Sequence, residues 1–288
     1  MRTIKRTVKA EQIDMGGIKI EQALPVVGIE NVDPFLLIHH WKDHFPGGQK
    51  QQNLGVGPHP HRGFAPVTLV FKGSVHHRDS LGNDSIVSEG GTQWMNSGKG
   101  VIHSERPSVE ISENGGDYEI IQFWVNAPGN HKLDPPAYYP LAKEDTPVVG
   151  SEDGAVTLSL IAGQLHEKSS PIETYSPMLI IRADGTTGGQ VTIPVTSTYN
   201  ALIYVLEGKV ACGDTIVGEK TMALFHNDGS DIQLKYLEDS ILIVLAGEPI
   251  NEPIKSYGPF VMNSSRELMT AIQEYQDGKM GTLVEKWA

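Results

Sequence analysis

The feature that most constrains the fold is a series of short apolar runs, each bounded by glycine, proline or other turn residues. Runs of this kind read as β-strands, because an amphipathic helix needs a longer segment with a different period. Many short strands with regular turns are typical of sandwiches and barrels. The sequence therefore predicts an all-β protein, with strands at 65–71, 119–125, 156–162, 178–182, 201–206 and 240–246.

Only one segment has convincing helical periodicity, and it lies close to the C-terminus. Ser264 and Ser265 can cap its first turn, and Gly278 would end it. Its apolar residues recur at helical spacing: Leu268, Met269, Ile272 and Tyr275. The sequence therefore predicts one short C-terminal helix added to the β-strands.

The length of 288 residues fits two domains of about 140 residues each better than one large domain. An internal similarity supports two halves, because 67–75 and 201–210 both read as an apolar strand, a glycine turn and a new strand. Prolines cluster between the halves, at 128–147. We therefore predict domains at 1–130 and 145–288.

The composition excludes several classes of function. A net charge of −12 argues against direct binding to nucleic acid or to an anionic membrane surface, since both require clustered basic residues. Cys212 is the only cysteine, so no intrachain disulfide can form. No segment has the apolar length of a membrane helix or of a signal peptide. We expect a cytoplasmic protein.

Two motifs place potential metal ligands at alternate positions. The first contains His59 and His61, and the second contains His103 and Glu105. Residues i and i+2 of a strand point to the same face of the sheet, so each pair projects together. If the two strands face each other, three imidazoles and one carboxylate converge on one point.

Such a donor set suits Fe, Mn, Co, Ni, Cu or Zn, and imidazole with carboxylate is typical of non-haem iron oxygenases. The alternative interpretation is that H-x-H marks a solvent-facing strand. The second half has no H-x-H or H-x-E pair, so we predict a single metal site, in the first half. The remaining histidines are interpreted as surface or structural residues: His39, His40, His44, His76, His77, His131, His166 and His226.

Several linked motifs resemble those of the pirin family, within the cupin superfamily. They occur in the family's order and span nearly the whole chain. The chain departs from the family's pattern at Ala65, where pirins usually have glutamate, and at His39-His40, where an acidic residue is frequent. The matching motifs are DPFLL at 33–37, HPHRGF at 59–64, QWM at 93–95, GKGVIHSE at 98–105, QFWVN at 122–126 and GPFVMN at 258–263.

The resemblance implies two cupin barrels side by side, a bicupin, in which the N-terminal barrel binds one Fe²⁺ or another divalent transition metal. The family's ligands map onto His59, His61, His103 and Glu105. The C-terminal barrel would then be structural or a lid.

The resemblance also implies a dioxygenase that acts on a small aromatic substrate, a flavonol such as quercetin, and on O₂. Glu105 would be the catalytic base that accepts the flavonol proton. Arg62 is expected to line the pocket or to pair with a carboxylate behind the sheet. The expected pocket residues are Phe64, Trp94, Met95, Arg62 and His39.

A second hypothesis, also implied by the resemblance, is a regulatory protein that acts through protein partners. In that case the redox state of the iron would switch the protein's surface. An enclosed apolar cavity over the metal would favour the enzyme, and a metal closed off from solvent beside a charged patch would favour the regulator.

Overall fold

The computed structural model describes residues 1–287, and β-strands dominate it, with 54% strand and 9% helix. The predicted all-β class is confirmed. Each of the six strands predicted from an apolar run lies within one observed strand. No helix in this described part of the chain is long and apolar enough to cross a membrane.

The strands of the first half of the chain are β1 (Ile4–Lys9), β2 (Glu11–Met15), β3 (Ile18–Leu24), β4 (Phe35–Phe45), β5 (Val56–His61), β6 (Phe64–Lys72), β7 (Ser74–Asp79), β8 (Asp84–Ser88), β9 (Thr92–Asn96), β10 (Val101–Pro107), β11 (Gly116–Asn126) and β12 (Ala137–Leu141). One short helix, α1 (Val109–Asn114), precedes β11. Three single 3-10 turns lie at Gln51–Asn53, Gly129–His131 and Lys143–Asp145.

The strands of the second half are β13 (Val148–Gly150), β14 (Val156–Ala162), β15 (Gln164–Leu165), β16 (Lys168–Ser169), β17 (Met178–Gly185), β18 (Gln190–Pro194), β19 (Asn200–Glu207), β20 (Lys209–Cys212), β21 (Thr215–Gly218), β22 (Thr221–Phe225), β23 (Asp231–Tyr236), β24 (Ser240–Gly247), β25 (Lys255–Tyr257) and β26 (Phe260–Met262). The helix α2 (Ser265–Gln276) follows them.

The chain forms two compact units, and each is discontinuous in sequence. The amino-half unit contains Asp14–Ile20, His40–Lys143 and the chain from Asn251 onward. The carboxy-half unit contains Met1–Ile13, Glu21–His39 and Glu144–Ile250. The domain bounds 1–130 and 145–288 stay a prediction. The observed units differ from those bounds at the ends of the chain. The N-terminal strand β1 pairs with β22 in the carboxy-half unit, and the C-terminal segment packs in the amino-half unit.

The carboxy-half unit consists of two main sheets, with strand orders β1-β22-β19-β24-β17-β14-β13 and β18-β23-β20-β21. Side chains alternate between interior and solvent along these strands, as Ile193, Ile232 and Leu234 show by their burial. Burying one such side chain contributes roughly 1.5–3 kcal/mol. A continuous apolar core, which these residues share with others from both sheets, occupies the interior.

The amino-half unit has the same arrangement. Its smaller sheet has the order β5-β10-β7-β8, and its larger sheet contains β12-β9-β6-β11-β4. The C-terminal segment covers the outer side of β10, where Ile102 packs against a cluster that contains Phe260, Leu268 and Met280. Because neighbouring residues of a strand point to opposite faces, this packing leaves His103 directed to the interior.

The internal similarity noted in the sequence corresponds to two equivalent glycine turns, each of which connects a strand of a larger sheet to a strand of the smaller sheet in the same unit. Gly73 joins β6 to β7 with a φ of 75°, and Gly208 joins β19 to β20 with a φ of 80°. A Cβ on Gly208 would lie 2.2 Å from the carbonyl oxygen of Asp239. Both turns therefore require the left-handed backbone that glycine adopts without strain.

The predicted C-terminal helix is confirmed as α2. Ser264 is its N-cap, and the Ser264 hydroxyl accepts a hydrogen bond from the backbone N–H of Glu267. Leu268 is buried in the cluster beside β10, whereas Met269 is exposed. Helical spacing therefore identified the element, while the packing of the amino-half unit determines which apolar residues of the helix are buried.

Candidate metal centre

The two ligand motifs lie on adjacent antiparallel strands of the smaller sheet. His59 and His61 are on β5, and His103 is on β10 directly opposite His59. The pairing shifts between His103 and Glu105, which indicates a bulge at this point of β10. The strands therefore bring both motifs to one face, as their spacing predicted.

The three imidazoles converge. One ring nitrogen from each of His59, His61 and His103 lies within 4.8 Å of the other two, and the ring centroids are 4.4–4.9 Å apart. His61 and His103 are buried, and His59 is half-buried. The Nε2 atoms of His61 and His103 are buried without a hydrogen-bond partner. Buried polar atoms are normally satisfied, so these two atoms are suited to coordinate a metal.

Backbone carbonyls orient two of the rings through the other nitrogen. His59 Nδ1 donates to the carbonyl oxygen of Gly57 at 2.8 Å, and His61 Nδ1 donates to that of Pro259 at 3.4 Å. A metal-ligating histidine usually donates its second N–H in this way, because that hydrogen bond fixes the tautomer. The Nε2 lone pairs of His59 and His61 are therefore the ones available to a metal.

The C-terminal segment that carries Pro259 packs closely against Gly63. Gly63 has a φ of 85°, and a Cβ there would lie 2.0 Å from the carbonyl oxygen of Val261. Arg62 forms a β-bridge with Phe260 at the same place. Glycine is required because any side chain would displace the C-terminal segment that orients the ligand.

Burial keeps the imidazoles of His61 and His103 neutral. The pKa of His61 is well below its usual value because burial disfavours the cation, and His59 adds repulsion. The pKa of His103 is also well below its usual value, through burial first and then repulsion from His59, His61 and His77. A neutral imidazole has the lone pair that a metal requires.

Glu105 lies outside the cluster of ring nitrogens that meet within 4.8 Å. Its Oε1 accepts a hydrogen bond from the Thr68 hydroxyl at 2.8 Å, and its Oε2 accepts one from Gln122 Nε2 at 2.6 Å. Thr68 and Gln122 are direct partners across β6 and β11. The carboxylate is thus held by two donors of the larger sheet, and its predicted role as fourth ligand stays a prediction.

The donor set fits a divalent metal. Three converging imidazoles, two of them buried with unpartnered Nε2 atoms, match the preference of first-row transition metals for imidazole. The nearby carboxylate of Glu105 is the oxygen donor that the sequence predicts as fourth ligand. These residues therefore suit a divalent metal site, and the donors alone do not select one metal among Fe, Mn, Co, Ni, Cu and Zn.

Comparison with known proteins identifies the family. The pirin family model matches residues 17–125, and the model of the pirin C-terminal cupin domain matches residues 182–281. The chain belongs to the pirin family. Its fold is accordingly two cupin domains with one short C-terminal helix, as the resemblance implied.

Relatives cover nearly the full length of this pirin-family chain. A Pseudomonas aeruginosa protein named "Putative quercetin 2,3-dioxygenase" is 38% identical over 87% of each chain. Human pirin is 31% identical over 94% of this chain and 91% of its own. The crystal structure of a quercetin 2,3-dioxygenase from Acinetobacter baumannii superposes with a TM-score of 0.92, at 34% identity over 99% of this chain and 100% of that one.

The predicted pocket residues occupy different places. Phe64 is beside the imidazoles, with its ring centroid 5.1 Å from that of His61. Trp94 and Met95 are buried in β9, where Trp94 Nε1 donates to Asn96 at 2.8 Å. His39 belongs to the carboxy-half unit, bonds to Gln22 Oε1 at 3.0 Å, and has its pKa lowered to about 4 by burial.

Arg62 pairs with a carboxylate, which was one of its two predicted roles. Its side chain is buried, its Nε donates to the carbonyl oxygen of Lys99 at 2.6 Å, and its Nη2 donates to Glu274 of α2 at 2.7 Å. Through these contacts, the guanidinium connects the end of β5 to the terminal helix. A role of Arg62 in a substrate pocket stays a prediction.

Sequence reasoning missed three residues near the centre. Trp124 on β11 lies 5.5 Å from His61 and 4.2 Å from Phe64, measured between ring centroids. Its Nε1 donates to Gln122 Oε1 at 3.1 Å, so Trp124 also orients the amide that holds Glu105. Gln122 and Trp124 were visible within the QFWVN motif, where their i and i+2 spacing placed them on one face. In the sequence, Thr68 was visible only as a polar residue within an apolar strand.

The adjacent histidines on β7 point to opposite sides, as their spacing predicted. His76 bonds to Asp84 at 2.6 Å and to Gln51 at 3.1 Å, and its partners lie away from the cluster. His77 is buried and contacts His103. His77 was interpreted as a surface or structural histidine, and only the pairing of β7 with β10 places it behind a candidate ligand.

The carboxy-half unit contains a surface cavity of about 680 Å³. Its lining includes outward-facing residues of β18 and β23, among them Thr192, Gln233 and Lys235. His166 is its one histidine, and no group of three metal-ligating side chains occurs among its described residues. The convergence of metal donors is therefore confined to the amino-half unit within residues 1–287.

We expect one metal ion per chain. In their sheet, β18 and β23 occupy the places that β5 and β10 have in theirs, but their inward residues are apolar, such as Ile193 and Ile232. An apolar interior offers no donors, so metal-free protein titrated with Zn²⁺ or Fe²⁺ should saturate near one equivalent in calorimetry. A second equivalent bound with comparable affinity would contradict this expectation.

Proposed function

We propose that this chain is an iron-dependent dioxygenase that opens the ring of a flavonol such as quercetin, incorporating O₂ and releasing carbon monoxide. The observation that supports it most is the set of imidazoles with buried, unpartnered Nε2 atoms beside a hydrogen-bonded carboxylate. The similarity over the full chain to the quercetin 2,3-dioxygenase of Acinetobacter baumannii adds the reaction class.

Iron is proposed because imidazole with carboxylate is the donor combination of non-haem Fe²⁺ oxygenases. When bound, the metal supplies a Lewis acid for the enol oxygen of the substrate and a redox partner for O₂. The residues that would hold it are His59, His61 and His103, with Glu105 as the fourth ligand. Three neutral donors and one anion would leave a net positive centre, which favours binding of an enolate.

Glu105 is proposed to accept the proton of the flavonol 3-hydroxyl. The carboxylate has two oxygens, and Thr68 and Gln122 each donate to one of them. These donors position the carboxylate, which can serve as a base. If one oxygen of Glu105 receives a proton, that oxygen can donate a hydrogen bond where it accepted one before.

Phe64 and Trp124 are proposed to contact the planar substrate. Their ring centroids are 4.2 Å apart, and both rings pack on His61. Aromatic walls with a few convergent polar groups are typical of sites for flat ligands. Gln122 links this wall to Glu105, since it accepts from Trp124 and donates to the carboxylate.

The test is oxygen uptake by protein reconstituted anaerobically with Fe²⁺, after its metal content has been measured. We expect quercetin to consume O₂ and release carbon monoxide in equal amounts. The matched flavone luteolin, which lacks the 3-hydroxyl, should consume none, because it offers no proton to Glu105 and no enolate. Parallel loading with Mn²⁺, Co²⁺, Ni²⁺, Cu²⁺ and Zn²⁺ tests the choice of iron.

One outcome of the oxygen-uptake test would contradict the proposed function. Fully iron-loaded protein that consumes no O₂ with quercetin or related enols would contradict the enzyme. That result would favour the alternative, an iron-binding regulatory protein whose redox state alters its binding to a protein partner.

A further inference from the structure

His103 is the first of three buried side chains that form a chain, followed by His77 and Asp79. His77 Nε2 lies 3.0 Å from Asp79 Oδ2, and His77 Nδ1 lies 3.5 Å from His103 Nδ1. All three residues are at most 3% exposed. The pairing of β7 with β10 sets this arrangement, because it places Asp79 directly opposite His103.

Asp79 is held as an ionised acceptor. Its Oδ1 accepts from the backbone N–H groups of Leu81 and Asn83 at 2.9 and 3.0 Å, and its Oδ2 accepts from Asn83 Nδ2 at 2.7 Å. Burial alone would raise the pKa of Asp79, but hydrogen bonds from His77 and Asn83 hold it below the usual value. An ionised carboxylate has no proton to donate.

The direction of each hydrogen bond follows from that acceptor. Because Asp79 accepts, His77 Nε2 holds the ring proton and donates it to the carboxylate. The lone pair of His77 is then on Nδ1. The neighbouring Nδ1 of His103 must therefore hold a proton and donate it, which leaves the lone pair of His103 on the buried, unpartnered Nε2.

Tyr138 fixes the plane of the His77 ring. The two rings are stacked, with centroids 3.9 Å apart and an angle of 5° between their planes. The Tyr138 hydroxyl donates to Ser85 on β8 at 3.4 Å. The stack restricts rotation of His77 away from the line between Asp79 and His103.

We propose that His77 and Asp79 are positioning residues that hold His103 in the Nδ1–H tautomer, so that its Nε2 is preorganised as a metal donor. His59 and His61 obtain the same orientation from backbone carbonyls, and only His103 depends on side chains for it. The proposal rests on the metal-binding part of the proposed function and not on its oxygenase chemistry.

The test compares the metal affinities of His77→Phe, His77→Gln and the control His76→Phe. Phenylalanine keeps a flat ring against Tyr138 but removes the acceptor for His103, whereas the glutamine carbonyl can replace that acceptor. We expect His77→Phe to weaken Zn²⁺ and Fe²⁺ binding by about 10–100-fold in chelator competition, as loss of such a partner typically does. His77→Gln should recover part of the loss, and His76→Phe should bind as wild type.

A His77→Phe protein that binds metal as tightly as wild type would overturn the proposal, and so would an equal loss in His76→Phe. A second measurement does not depend on any variant. In metal-free wild type, ¹⁵N NMR should show His103 as the Nδ1–H tautomer, and finding the Nε2–H tautomer would overturn the proposal even if His77→Phe fails to fold. Wild type that binds no metal would instead refute the proposed function.

Discussion

Replacing His61 or His103 with alanine is expected to weaken metal binding by more than about 100-fold, since loss of a residue that only orients a ligand already costs 10–100-fold. Each variant removes one of three nitrogens that lie within 4.8 Å of one another. The two remaining imidazoles cannot surround the ion in the same way. Metal content after dialysis against a weak chelator, measured by plasma mass spectrometry, gives the loss directly.

The same variants are expected to remain folded. The amino-half unit is held together by apolar strands such as β6, whose residues Phe64–Phe71 are all buried. His61 contributes one long hydrogen bond to Pro259, and such a bond stabilises by about 0.5–1.5 kcal/mol. Circular dichroism and thermal melts of metal-free protein should therefore show native β-structure.

The matched control is His226→Ala, because His226 is exposed and lies in the carboxy-half unit. It should retain both the metal and the fold. An unfolded His61→Ala or His103→Ala protein would show that the metal is structural, as in small zinc domains, and would weaken the case for an enzyme.

Glu105→Gln is expected to reduce kcat for quercetin by about 100-fold or more, the usual contribution of a general base, at matched iron occupancy. KM should change much less, because the proton transfer belongs to the reaction and not to docking of the substrate. Glutamine keeps the shape of the side chain and a weak oxygen donor but loses the negative charge and most of the basicity. Oxygen consumption measured over a range of quercetin concentrations separates kcat from KM.

The environment of Glu105 makes this substitution interpretable. Thr68 and Gln122 donate to separate oxygens of the carboxylate. The glutamine carbonyl can accept from Gln122, and its NH2 can donate to the Thr68 hydroxyl, because a hydroxyl both donates and accepts. Even the loss of one hydrogen bond would cost only about 1 kcal/mol of stability, which is too small to unfold a domain with such a core. Glu110→Gln, at an exposed position of α1, is the control for removal of one carboxylate. Equal rates for wild type and Glu105→Gln would remove Glu105 from the chemistry.

The local parts of the structure could be predicted because they depend on neighbouring residues. The period of the apolar runs defined the main strands, and Ser264 with Gly278 bounded the terminal helix. Alternation along a strand also showed that His59 and His61 share a face. For α2 the spacing found the helix but did not show that Met269 would be exposed while Leu268 is buried.

The surroundings of the ligands could not be predicted, because they depend on strand pairing between distant segments. The opposition of Asp79 and His103 is a consequence of the register of β7 and β10, and nothing local in either strand encodes that register. The same holds for the pairing of Thr68 with Gln122, which places both donors on Glu105.

The sequence by itself determined the strands, the turns at Gly73 and Gly208, and the histidines that converge, since each follows from the conformational preferences and alternation of adjacent residues. Only the tertiary structure decided that Arg62 pairs with Glu274 of the terminal helix and that the C-terminal segment orients His61 through Pro259. These contacts join residues about 200 positions apart. Packing of the whole amino-half unit brings such residues together, and that packing is a property of the complete chain.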